Sequence, residues 1–217
     1  KFPALAEARL MLASAQRSRG NLDDALAVYL SLARDYPTNP QPVLYAGLIQ
    51  RQQKKPDAAR VSFEKALQIR PGFLPALGQL LDLDIAERKF DAAQHRIQAE
   101  MDKDPKAPVP LMLLAQLQLA QTNQAQAEAT MLKTLELNPD YLPAQVELAK
   151  LYVATQRDKE ALERLQTVVS KDTNDILSWM RIAIIHTEAT NYTAARDVYE
   201  KILTLNPRYA PAVNNLA

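Results

Sequence analysis

The chain has 217 residues, 47% of them hydrophobic and 24% charged, with a formal net charge of +1, so no overall electrostatic bias directs it to nucleic acid or to an anionic membrane. It has no cysteine, which excludes disulfides, thiolate zinc sites and a cysteine nucleophile. Only four glycines occur, a composition that starves hairpins and barrels and favours helix, and no apolar run approaches the roughly 20 residues of a membrane span.

The chain opens KFPAL, without Met and without a visible signal peptide, and reads as part of a longer protein. Pro3 begins a series that returns at Pro37, Pro71, Pro105, Pro139 and Pro207 in a 34-residue frame, with Thr173 standing where one proline is missing. Residues 1–5 read as the end of a preceding repeat. Residues 6–39 are the first full repeat, with small Ala13, a polar break at RGNLDD, then Ala25 and Tyr29. Residues 40–73 place Gly47, the break KKPDAA, Ala59 and Phe63 at the same offsets. In 74–107 the small residue is replaced by Leu81, before RKFDAA, Ala93 and Ile97, so this hairpin is expected to pack less tightly. Residues 108–141 resume with Ala115, Ala127 and Met131, 142–175 with Ala149, Ala161 and Leu165, and 176–209 with Ala183, Ala195 and Tyr199. Residues 210–217 (APAVNNLA) read as the start of a seventh repeat or a truncated capping helix.

Each period is predicted to be two helices. In 142–175 the apolar positions Val146, Ala149, Leu151 and Tyr152 follow helical rather than alternating spacing, and after QRD the pattern resumes at Ala161, Leu162, Leu165, Val168 and Val169. Pro75, Pro143 and Pro211 fall in the first turn of a predicted helix, where proline is tolerated, and Pro37 and Pro139 follow the end of one.

The 34-residue helix–turn–helix unit resembles the tetratricopeptide repeat. Unit 40–73 carries the motif at Gly47, Ala59, Phe63, Ala66 and Pro71, and unit 176–209 at Trp179, Ala183, Ala195, Tyr199 and Pro207. Glu100, like Leu81, occupies a place where that family has a small residue. The resemblance implies an all-α fold, a right-handed superhelical solenoid of antiparallel helix hairpins whose first helices line a concave groove. Stacking of neighbours, not any single hairpin, buries the core of such an array.

Projected onto this chain, the groove face comprises Leu44, Tyr45, Leu48 and Arg51, then Gln79 and Asp82, Met112, Leu113 and Gln116, Glu147 and Lys150, and Met180, Arg181 and Ile184. The set is apolar for a face turned to water, and contiguous apolar surface marks binding. Tyr45, Leu48, Met112, Leu113, Met180 and Ile184 are the expected anchors, with Arg51, Lys150 and Arg181 as polar guides. The competing expectation is that tight winding buries these side chains between neighbouring repeats. Two groove chemistries of the family find no match. Leu10, Ser14, Tyr45, Leu44 and Gln79 do not make the carboxylate clamp, and Met11, Tyr45, Gln79, Leu113, Glu147, Arg181 and Asn215 are not an asparagine ladder.

No catalytic constellation stands out. His95 reads as a surface residue and His186 as a packed one, Asp82 and Asp84 point to different sides of a helix, and no phosphate loop or nucleophile elbow is present. The basic run Arg51 to Lys55 lies at a turn and reads as solvated surface, and Trp179 reads as a hairpin-packing residue.

The expected function is therefore a non-catalytic protein–protein interaction scaffold that holds a partner peptide or helix in the groove. No cofactor, metal, nucleic acid or membrane span is called for. The alternative is a structural spacer or self-association module of a larger envelope or secretion assembly, forming a homo-oligomer through uncapped ends. A regulatory arm of a catalytic parent is a third reading. In general style the units are similar to long bacterial tetratricopeptide lipoproteins of envelope and exopolysaccharide-sorting systems, which tilts localisation toward the periplasm.

Overall fold

A computed structural model describes residues 3–216, with side chains from Ala6. Lys1, Phe2 and Ala217, at the edges of the 1–5 and 210–217 segments, lie outside the described residues. The described residues form thirteen helices and no strand: α1 (Pro3–Ser18), α2 (Leu22–Asp35), α3 (Pro40–Gln52), α4 (Pro56–Ile69), α5 (Leu74–Ala86), α6 (Phe90–Met101), α7 (Pro108–Ala120), α8 (Gln124–Leu137), α9 (Leu142–Ala154), α10 (Asp158–Lys171), α11 (Ile176–Glu188), α12 (Tyr192–Leu205) and α13 (Ala210–Leu216). The fold is an all-α array of helix hairpins. It divides into two compact units, Lys1–Pro105 with α1 to α6 and Lys106–Ala217 with α7 to α13.

Helix starts are set by local chemistry. Proline occupies the first turn of α3, α4, α5, α7 and α9, where its missing N–H costs nothing. The Asn39 side chain accepts from the Gln41 N–H ahead of α3, and Asp175 accepts from the N–H groups of Leu177 and Ser178 ahead of α11.

The turn inside each hairpin is the same device repeated. Gly20, Lys54, Arg88, Thr122, Gln156 and Thr190 have left-handed backbone, with φ between 57° and 82°. The following N–H then reaches back to a carbonyl five residues earlier, as in Lys55 to Gln50, Lys89 to Asp84 and Asn123 to Gln118. This is the Schellman closure of a helix C-terminus. Only the first of the six positions is a glycine, so the others hold a conformation that L-residues adopt at a cost.

Hairpins close on small residues. Ala25, Ala59, Ala93, Ala127, Ala161 and Ala195 are all buried, as are Tyr29, Phe63, Ile97, Met131, Leu165 and Tyr199 one turn on. The third series, Ala13, Gly47, Leu81, Ala115, Ala149 and Ala183, is buried too. A Cβ built on Gly47 would lie 2.4 Å from a ring carbon of Phe63, so this helix crossing admits glycine alone without a shift of the ring. Where Leu81 takes the small residue's place, α5 and α6 pack less closely than the other hairpin pairs.

A polar bond twelve residues in span also recurs across the hairpins. Ser62 donates to Gln50, Arg96 to Asp84 and Thr130 to Gln118. At the position of the missing proline, Thr173 offers its carbonyl to the Trp179 indole N–H at 3.0 Å, and Trp179 packs against the cores on both sides of it.

Candidate functional site

The first-helix face differs between the two units. In residues 1–105 the expected groove residues bind one another. Arg51 on α3 donates to Gln79 and to Asp82 of α5, the latter at 3.1 Å, and so ties one hairpin to the next. Tyr45 is half-buried, with its ring 5.2 Å from that of Tyr29. Leu48 packs partly into the α3–α4–α5 core. Leu44, expected on the groove, is instead buried in that core at 7% exposure.

In residues 106–217 the corresponding face is open. Met112, Leu113, Gln116 and Leu119 of α7 and Glu147 of α9 line a hollow of about 390 Å³, together with the buried Met131 of α8. Lys150 and Val153 of α9 and Arg181, Ile184 and Ile185 of α11 line a second, of about 200 Å³. Lys150 donates to Glu147 at 2.6 Å, so an ion pair stands where the two hollows approach each other. The pair is solvated and contributes little to stability. Ile184 is 41% exposed, an aliphatic side chain turned to water. Met180, expected as an anchor, is buried at 8% exposure against α12 and α13.

The two corrections have one cause. Leu44, Met112 and Met180 share a repeat position at the edge between the first-helix face and the interhairpin core. A step of ~100° per residue puts that position on the border, and local packing decides its side.

The second set of charges was not foreseen. Asp84 is fully buried, yet Arg60 and Arg96 both donate to it, at 2.5 and 3.1 Å. Arg60 also reaches Glu87, and Arg96 reaches Glu64. Burial pushes the Arg60 guanidinium down, but its hydrogen bonds to and charge attraction from Asp84 and Glu87 together outweigh this and hold it above its ordinary range. Lys89 and Arg60 hold the Glu87 carboxyl below its ordinary value. In the other unit Arg157 stacks over Tyr152 at 4.1 Å, pairs with Glu128 and Glu160, and holds the Glu160 carboxyl low. These groups join neighbouring helices. His186 is half-buried and rims a shallow, open hollow with Leu162, Glu163 and Thr167, so it is not the fully packed residue expected; His95 is exposed.

Among the described residues, no group of three or more His, Asp or Glu is placed to hold a metal ion, and no helix is long and apolar enough to cross a membrane.

Comparison with known proteins identifies the repeat. Family profiles described as "Tetratricopeptide repeat" match residues 50–117 and 119–183, 1–40 and 10–72, and 176–209. None of the curated proteins compared matches the chain. Among solved structures, yeast Tom70 superposes with a TM-score of 0.82 at 16% identity, covering 97% of this chain and 45% of that one. Cut9, in the APC/C hetero-tetramer Cut9-Hcn1, gives 0.62 at 14% identity, covering 97% of this chain and 42% of that one. TTC0263, a thermophilic repeat protein of Thermus thermophilus, gives 0.62 at 19% identity, covering 81% of this chain and 96% of that one. At these identities the likeness concerns the fold.

Proposed function

The chain belongs to the tetratricopeptide repeat family, whose members generally serve as non-enzymatic protein-interaction scaffolds, and we propose that it holds a segment of a protein partner on the first-helix face of residues 106–217. The observation that carries this reading is the pair of apolar hollows there, each with a charged side chain at its rim. One hollow suits a large apolar side chain against Met112 and Leu113. The other suits a smaller one against Val153 and Ile184. Methionine adapts to varied shapes at low cost. Lys150, Glu147 and Arg181 then orient the bound segment through its own charges. Between α3 and α5 the same face fits this role less well, because Arg51 is engaged with Gln79 and Asp82.

A pull-down from native extract tests the proposal, with wild type beside Met112→Asp and Ile184→Asp. A partner kept by wild type and lost from both variants, with helical content unchanged, supports it. The same proteins retained by all three forms would move the contact elsewhere. Self-association is the second reading, favoured by Met11 and Leu12 of α1, which are 63% and 50% exposed. Sedimentation of wild type against Met11→Glu decides it.

A further inference from the structure

On residues 1–105, the second helices carry a cleft that is unlike its counterparts along the chain. It lies between α2 and α4 over Val43 of α3, has a volume of about 440 Å³, and is walled by Leu30, Ala33 and Val61. Leu30 is 41% exposed and Val61 66%. The 34-residue frame shows how unusual they are. The repeat position of Val61 holds Ala27, His95, Ala129, Glu163 and Asp197 in the other units, so Val61 is its one large aliphatic. The position of Leu30 holds Glu64, Gln98, Gln166 and Glu200, and otherwise only Leu132, which is partly buried in its own core. Two exposed apolar residues from adjacent repeats thus meet at one cleft.

The rim carries cations. Arg34 on α2 and Lys65 on α4 line the cleft and are exposed, and neither takes part in an ion pair or side-chain hydrogen bond among the described residues. The acids beside them in sequence are engaged elsewhere: Asp35 holds Arg9 at 2.7 Å and Glu64 holds Arg96 at 3.2 Å. Unneutralised positive charge around an apolar cleft favours a ligand of opposite sign and disfavours a basic one.

We propose that the α2–α4 cleft is a docking site for an acidic–apolar peptide segment, one that places an aliphatic or aromatic side chain between Leu30 and Val61 and carboxylates against Arg34 and Lys65. The cleft is independent of the open face on residues 106–217, so one chain can hold two different segments.

The test is selection of a random-peptide phage library on the chain, followed by anisotropy titration of the enriched peptides. Enriched sequences should combine an apolar residue with Asp or Glu. Their binding should weaken on the order of tenfold or more in Val61→Glu and in the Arg34→Glu, Lys65→Glu double variant, weaken with added salt, and stay unchanged in Ile184→Asp. Val61 is exposed, so its variant should keep the helical circular dichroism of wild type. Absence of enrichment, enrichment of basic peptides, or indifference to Val61→Glu would overturn the proposal. Peptides lost in Ile184→Asp but not in Val61→Glu would overturn it in favour of the other face. A chain dimer that Val61→Glu dissociates would give the cleft to a second copy.

Discussion

Thr122 and Thr190 hold φ of 63° and 59°, a left-handed backbone that a β-branched residue adopts only under strain. Glycine at either place removes roughly 1–2 kcal/mol of strain and returns part of it as unfolded-chain entropy. Thr190→Gly is therefore expected to raise stability by about 1 kcal/mol in urea unfolding. Gly47 behaves in the opposite way. Alanine there gains about 1 kcal/mol of helix propensity but drives a Cβ into the Phe63 ring, so Gly47→Ala should lose about 1 kcal/mol net. In that background Phe63→Leu should cost less than in wild type, which a double-mutant cycle measures. Small residues at Gly47 and its equivalents were readable from the frame. The left-handed positions were not, because Lys54, Arg88, Thr122, Gln156 and Thr190 carry no glycine signal and only the closed backbone reveals what they do.

Helices and their pairing were legible because the 34-residue spacing, the prolines and the alanines all point to the same element boundaries. Asp84 was not. Its repeat position holds Gln16, Gln50, Gln118, Tyr152 and His186, and a carboxylate in a helix reads as solvated until folding brings Arg60 and Arg96 to it. Removing one member of such a buried set leaves the others uncompensated. Asp84→Ala should destabilise residues 1–105 by about 3 kcal/mol, read by chemical denaturation. The outer acids give a pH dependence. Glu87, held low by Lys89 and Arg60, and Glu160, held low by Arg157, bind protons less readily folded than unfolded. Their contribution is complete above the ordinary value of 4.5 and is lost as the pH falls through the lowered folded value. Thermal midpoints should drop in that acid range, and Glu87→Gln should flatten the drop.

Across the molecule, stability in a repeat array is local, each hairpin leaning on its neighbours. Trp179 is the single tryptophan and lies in residues 106–217. In Asp84→Ala, urea unfolding followed by circular dichroism should show an early phase that Trp179 fluorescence does not report. Coincident curves would mean that the whole chain unfolds as one. The candidate site was legible in part at this scale. Met112, Leu113, Lys150, Arg181 and Ile184 line hollows, while Leu44 and Met180 turned inward because a helical projection gives direction but not the depth of the neighbour. The unbroken 34-residue frame has one more consequence. A lattice of equal steps is degenerate: a partner that recognised only its regular features would bind equally well one step up or down, with no defined position. Leu30 and Val61, Leu81 and Thr173 break the translation at particular steps. Such departures are what can give a periodic protein an address, and a partner that reads them can be held at one register.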